Sequence, residues 1–242
     1  GGFMFTQKSY NKLTLSGGVR FDKRNINSKE FSEGGDLKFA AFDKSFSNVS
    51  GSVGFSYKPN EYVTVRANIA RGFRAPNLAE LASNGAHEGT NRFEYGYQNL
   101  KTERSMQADA GIDLHGEHIS LRTSLFYNFI NNFIYYRKLN AVAGGDSIII
   151  DGNDQYFAFR FDQVNAKLYG FEFNLDIHPH PLDWLHLENT FSYVKGRLLE
   201  KQDGSDNIPF IPAPRMINEV KAEFFRNGKQ LKDLYVKLEL DN

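Results

Sequence analysis

The stretch Val49-Ser50-Gly51-Ser52-Val53-Gly54-Phe55-Ser56-Tyr57 alternates between two kinds of side chain. Val49, Gly51, Val53, Phe55 and Tyr57 form one face and Ser50, Ser52, Gly54 and Ser56 the other, because neighbouring side chains of an extended chain point to opposite sides of a sheet. The same period recurs along the chain. Val63, Val65, Ala67 and Ile69 oppose Thr64, Arg66, Asn68 and Ala70. Ile119, Leu121, Leu125, Tyr127, Phe129 and Phe133 mostly oppose Ser120, Arg122, Ser124, Asn128 and Asn132. Tyr169, Phe171, Phe173, Leu175 and Ile177 oppose Gly170, Glu172, Asn174 and Asp176, and Leu234, Val236, Leu238 and Leu240 oppose Tyr235, Lys237, Glu239 and Asp241. The fold class is all-β and antiparallel, with about ten strands.

The connections are of two lengths. Short polar turns are expected at residues 8–11, 58–61, 115–118, 179–183 and 226–229, and long irregular connections at 25–36, 72–101, 139–155 and 199–214. Short turns on one side and long loops on the other describe an up-and-down barrel of the outer-membrane type. A strand crossing a bilayer needs about 9–11 residues. The stretches 117–137 and 156–178 are long enough to cross and continue outward. Tyr57, Tyr62 and Trp184 beside the short turns, and Phe133, Tyr135 and Tyr136 near a long loop, suit aromatic girdles at the two interfaces. In this register Val53, Phe55, Leu121, Leu125, Phe171 and Phe173 face lipid and their neighbours face the lumen. Alternation alone leaves a soluble β-sandwich open, with the apolar face as a core.

Composition agrees with a long-stranded sheet. Twenty-two Phe, 12 Tyr and 21 Gly stand beside only seven Pro in 242 residues. A formal net charge of zero gives no general pull toward nucleic acid. The absence of cysteine removes disulfides and thiolate metal sites. No run of about 18 apolar residues exists, so no transmembrane helix is expected. The mean hydropathy of −0.50 does not argue against barrel strands, whose two faces average out. No phosphate-cradling loop, Ser-His-Asp order or convergent carboxylate pair supports an enzyme.

Residues 72–81, Gly72-Phe73-Arg74-Ala75-Pro76-Asn77-Leu78-Ala79-Glu80-Leu81, resemble an extracellular segment of TonB-dependent outer-membrane receptors. Three further pieces follow in the family's order. Asn99-Leu100-Lys101-Thr102-Glu103 is similar to its Asn-Leu-Lys-Pro-Glu segment, with Thr102 at the proline position, and Tyr169-Gly170-Phe171-Glu172 resembles its Gly-Phe-Glu strand. Residues 208–215, Ile208-Pro209-Phe210-Ile211-Pro212-Ala213-Pro214-Arg215, resemble its late Pro-rich loop. The resemblance implies that residues 1–242 are part of a receptor barrel whose plug domain, early strands and last strands lie outside this sequence. It also implies residence in the outer membrane of a Gram-negative bacterium, contact with its lipid, and uptake of a scarce nutrient energised by the TonB complex through the plug. A passive porin or structural barrel is the alternative from another class.

The segment Asn84-Gly85-Ala86-His87-Glu88-Gly89-Thr90 resembles the haem and zinc receptor subset, where a histidine in this loop belongs to the motif. A neutral imidazole ligates haem iron or Zn(II), so His87 is the candidate metal ligand, with Glu88 as a possible oxygen donor. The structural alternative is that His87 hydrogen-bonds within its loop, which suits a siderophore receptor, since chelated iron needs no protein ligand. Arg71 and Arg74 are candidates for an anionic group on the cargo, haem or an iron chelate, or for pairing with Glu80. No intrinsic cofactor is expected. His115, His118, His178 and His180 flank short turns and read as polar turn residues. His186, Arg66, Arg122, Glu172 and Glu188 read as lumen-facing, and Asp151-Gly152-Asn153-Asp154 as a turn rather than a calcium loop.

Overall fold

The computed structural model describes residues 1–224 and 234–242, apart from the side chains of Asp36 and Glu88. Ten strands form the wall: β1 (Gly2–Tyr10), β2 (Leu13–Ser28), β3 (Phe42–Tyr57), β4 (Val63–Arg74), β5 (Glu103–His115), β6 (Ile119–Lys138), β7 (Asp154–Ile177), β8 (Leu185–Gln202), β9 (Arg215–Phe224) and β10 (Leu234–Asp241). Each pairs antiparallel with the next in sequence, and β1 and β10 do not close on each other. Four expected short turns connect strands on one rim, the first displaced from 8–11 to Asn11-Lys12, because Lys8, Ser9 and Tyr10 stay in the β1 ladder. The expected turn at 226–229 lies outside the described residues. Among the described residues no helix is long and apolar enough to cross a membrane.

Register converts the sequence alternation into continuous rows. One row runs Leu15, Phe55, Ala67, Ala110, Leu125, Phe171, Tyr193 across seven strands. The adjacent row, on the opposite face, runs Ser16, Gly54, Asn68, Asp109, Phe126, Gly170, Val194. The apolar row is the uncovered one: Val53, Phe55, Leu125 and Phe171 are exposed, and Leu121 and Phe173 are half-buried beside them. Among the described residues no second sheet lies over that row. This removes the sandwich, in which the row would be a core, and leaves a wall whose apolar side needs a nonaqueous neighbour.

On the inner face polar side chains pair with each other. Arg66 donates to Asp113 at 2.8 Å, and Arg122 stands 3.5 Å from the same carboxylate. Gly170 sits opposite Phe126, and a Cβ there would fall 2.2 Å from the Tyr193 carbonyl and 2.8 Å from the Phe126 ring. The glycine of the Gly-Phe-Glu segment is therefore a close-approach residue, covered by a cross-strand aromatic ring.

Above the long-loop rim the register changes. β6 carries a bulge between Ile130 and Phe133, with Asn132 at φ 54°. The extra residue reverses which face later side chains occupy. Consequently Phe133 and Tyr135 turn away from the expected upper girdle, and Tyr136 is drawn out of it by packing. Phe133 and Tyr135 join Val164, Ala166, Leu198, Ile208 and Ile211 in one cluster, and Tyr136 packs on Phe161 in another. The lower girdle stands, with Tyr57, Tyr62 and Trp184 all exposed at the short-turn rim. The Pro-rich loop folds onto β8, where Ile208 and Ile211 occupy the space over Gly196. Residues 151–154 make the expected turn, with Gly152 at φ 62° between paired Asp151 and Asp154.

Candidate functional site

The connection between β4 and β5 is anchored from its first residues. Asn77 caps the short helix α1 (Leu78–Ala82): its side chain accepts from the Glu80 amide at 2.8 Å, and the Glu80 carboxylate accepts from the Asn77 amide at 2.8 Å. The other Glu80 oxygen accepts from Arg74 at 2.6 Å, and Arg74 also donates to Glu103 at 3.1 Å. Glu103 in turn accepts from the Ile134 amide. Arg74 thus ties the loop's start, its end and β6 together. Desolvation pulls the guanidinium pKa down, but the hydrogen bonds to the two carboxylates outweigh it and raise the value.

Packing completes the anchor. Pro76 is fully buried, and Ala75, Leu81 and Leu100 join Ile26, Phe46, Ile134 and Phe161 in one apolar cluster. Asn99 itself is exposed, while the next turn is fastened by Gln163, which accepts from the Lys101 amide and donates to its carbonyl, both at 2.7 Å. Ala75, Pro76 and Leu100 are therefore structural members of the motif, and Phe73 is half-buried in the β4–β5 ladder opposite Arg104.

Beyond α1 the strand Asn84–His87 pairs with the strand Arg92–Tyr95, which runs parallel along upper β7. His87 ends that strand, exposed. Its Nδ1 lies 3.2 Å from the Thr90 hydroxyl, and among the described residues Nε2 has no partner. Glu88 begins a 3-10 turn through Thr90; its side chain is outside the described residues. Arg71 is exposed on the outward row that carries Ile69, in register with Gly51 and Met106, and among the described residues its one hydrogen-bond contact is with Asn48 at 3.5 Å. No hydrogen bond or ion pair joins Arg71 or Arg74 to His87 among the described residues. Gly170 and Glu172 lie on the inner face of β7, away from this loop.

His87 instead borders a cleft of about 280 Å³ formed with the hairpin of Phe31–Glu33 and Asp36–Phe39. Phe31 and Phe39 stand 5.8 Å apart at its edge, and Lys38 and the buried Glu94 supply opposite charges. Asn84 donates to the Lys38 carbonyl at 2.8 Å, joining the two loops. Sequence reading missed these four residues. Gly34-Gly35 between alternating Phe31 and Phe39 was the available hairpin signal, and both glycines adopt positive φ.

With this geometry in place, the comparison with families is decisive: the family described as "TonB dependent receptor-like, beta-barrel" matches residues 1–227. The chain belongs to the TonB-dependent receptors. Membership places it in the outer membrane of a Gram-negative bacterium, with the short turns periplasmic and the long loops extracellular. A hemoglobin and hemoglobin-haptoglobin-binding protein of Haemophilus ducreyi is 28% identical over 210 residues, covering 81% of this chain and 21% of that protein. A probable TonB-dependent siderophore receptor PirA of Acinetobacter baumannii is 25% identical over 185 residues, 70% of this chain and 24% of its own length. The receptor chain thus spans under a quarter of these relatives. Among solved structures, the copper transporter OprC superposes with a TM-score of 0.70 at 17% identity, over 91% of this chain and 32% of that one. The Serratia marcescens hemophore receptor HasR, in complex with its hemophore and heme, gives 0.65 at 13% identity, over 92% and 41%. At these identities the two structures speak for the fold.

Proposed function

We propose that this chain is wall and extracellular loops of a receptor that takes up haem, the TonB complex driving transport through a plug carried elsewhere in the full protein. The observation that carries the reading is His87. Its ring is exposed, Nδ1 lies 3.2 Å from the Thr90 hydroxyl, and the residue lines a cleft bordered by two phenyl rings. An imidazole with one nitrogen positioned and the other open is the form in which histidine ligates haem iron. Phe31 and Phe39 supply apolar area for a porphyrin edge, and Lys38 a cation for a propionate. Arg74 acts by holding α1 and the loop base, while Arg71, in register with Gly51 and Met106 on the row that carries Ile69, lies on the outward face and is not counted among the cargo ligands. The haemoglobin-binding relatives support this choice of cargo, with zinc the other ion the ligand would suit.

A siderophore-iron receptor is the second reading, favoured by the PirA relative. Such cargo brings its own ligands and leaves His87 within its loop contact. The two separate in the full-length receptor. Haem titration followed by absorption should show weaker binding in His87→Ala, with barrel assembly unchanged by heat-modifiable migration. Equal haem affinity in an assembled variant would remove His87 from the site and turn the preference to an iron chelate.

A further inference from the structure

Five of the chain's six histidines, His115, His118, His178, His180 and His186, lie at the periplasmic rim, far from His87. Two of them meet a carboxylate on the lumen face. Asp176 and His178 are two residues apart on β7 and its exit, so they share a face. The pairing of Ile177 with Leu187 places His186, at the start of β8, opposite position 178. The His178 and His186 rings stand edge to face with centroids 4.2 Å apart. His178 Nε2 lies 2.6 Å and His186 Nδ1 3.7 Å from Asp176 Oδ2.

We propose that Asp176, His178 and His186 form a site for a divalent transition-metal ion of the Zn(II) class. One donor atom from each lies within 4.8 Å of the others. Zn–N and Zn–O bonds of about 2.0–2.2 Å in a tetrahedron separate donors by about 3.3–3.5 Å, which the two distances to Asp176 Oδ2 straddle. Two imidazoles and a carboxylate with a fourth position open to the lumen suit Zn(II), and hard cations such as Mg(II) poorly.

Two further features point the same way. His186 Nε2 faces Glu223 Oε2 at 3.6 Å, so a ligating Nδ1 would have its other ring nitrogen directed at a carboxylate, the arrangement that orients metal-bound histidines. Asp176 Oδ1 is buried with no hydrogen-bond partner among the described residues, an unsatisfied acceptor that a bound cation would compensate. The surrounding wall is acidic. Asp176, Glu188, Glu219 and Glu223 share it with Lys221 and Lys237, which pair with Glu223 and Glu219. A second trio, His118, His180 and Asp183, is exposed between two turns, and is the internal comparison rather than the proposed site.

The test is calorimetric titration of ZnCl2 into the untagged, chelator-stripped full-length receptor in detergent. The double variant His178→Ala/His186→Ala should lose one equivalent of Zn(II), while His118→Ala/His180→Ala keeps it. MgCl2 should give no matching heat. If the double variant fails to assemble, Asp176→Asn, nearly isosteric, takes its place and should weaken the same site tenfold or more, about the least effect expected of a ligand. An assembled variant that retains wild-type stoichiometry and affinity would overturn the proposal, as would loss confined to the exposed trio or equal binding of Mg(II). Because His87 is untouched, failure here leaves the haem reading standing.

Discussion

Replacing Leu125 with Arg tests which face of the wall meets lipid, and its depth follows from the structure. Leu125 is the seventh residue of β6 counted from the periplasmic turn and is 60% exposed. Six steps of about 3.3 Å, on a strand tilted by about 40°, place it about 15 Å above that rim, close to the middle of an apolar band about 25 Å tall. An arginine there should destabilise the barrel by about 2–4 kcal/mol, a factor of about 30 to 700 in the folding equilibrium. Ser124, one residue away, faces the lumen beside Gly111 and should accept arginine at well under half that cost. Reversible denaturant titration of the full-length receptor in phospholipid vesicles, followed by tryptophan emission and heat-modifiable migration, measures both. Equal losses, or a larger loss for Ser124→Arg, would refute the assignment of faces.

Three other perturbations reach different parts of the structure. Gly170→Ala forces a Cβ against the Tyr193 carbonyl and the Phe126 ring, and overpacking of this kind should cost about 1–3 kcal/mol in the same titration; pairing it with Phe126→Ala should recover only the part due to the ring. Arg74→Ala leaves the Glu80 carboxylate, 9% exposed, without its cation, and should raise amide exchange at Leu81 and Ser83 well above that of neighbouring β4. Tyr135 lies about 40 Å above the periplasmic rim by the same step length, beyond the bilayer. Its phenol is pushed up to about 12, first by desolvation and then by the charge of Asp162. Since the folded value exceeds the unfolded one, the phenol's contribution is complete below about pH 10 and is lost as pH rises from there toward 12. Ultraviolet titration should find a late-titrating tyrosine component that is lost in Tyr135→Phe.

Much of the wall could be read from side-chain period alone. Because a sheet face repeats every two residues, Val53 and Leu125 could be assigned to a side before any pairing was known, and the contrast of short and long connections oriented the barrel. The upper girdle failed for a definite reason. Asn132 falls in step with Asn128 on the polar face, yet it adopts a left-handed backbone, held by the Asn165 side chain, which accepts from its amide at 3.0 Å, and by its own donation to the Thr102 carbonyl. One such residue exchanges the faces of every residue after it. At the candidate site, the Arg74–Glu80 pair and the Asn77 cap were legible as local chemistry, and the resemblance singled out His87. The cleft facing His87 was not legible, since Phe31, Lys38 and Phe39 come from a loop about 50 residues earlier in the chain. The periplasmic histidines read as turn residues because only strand register brings His186 opposite His178.

The central claim is that one face of this sheet meets lipid and the other an aqueous lumen. Spin labels at Val53 and Ser52, adjacent on β3, test it most directly in the intact receptor reconstituted in vesicles. Val53 is 63% exposed on the apolar row, whereas Ser52 stands on the polar row beside Ala70. Collision with dissolved oxygen, which concentrates in the bilayer, should dominate at Val53, and collision with a water-soluble nickel chelate at Ser52. The reverse order, or identical accessibility at both positions, would contradict the account.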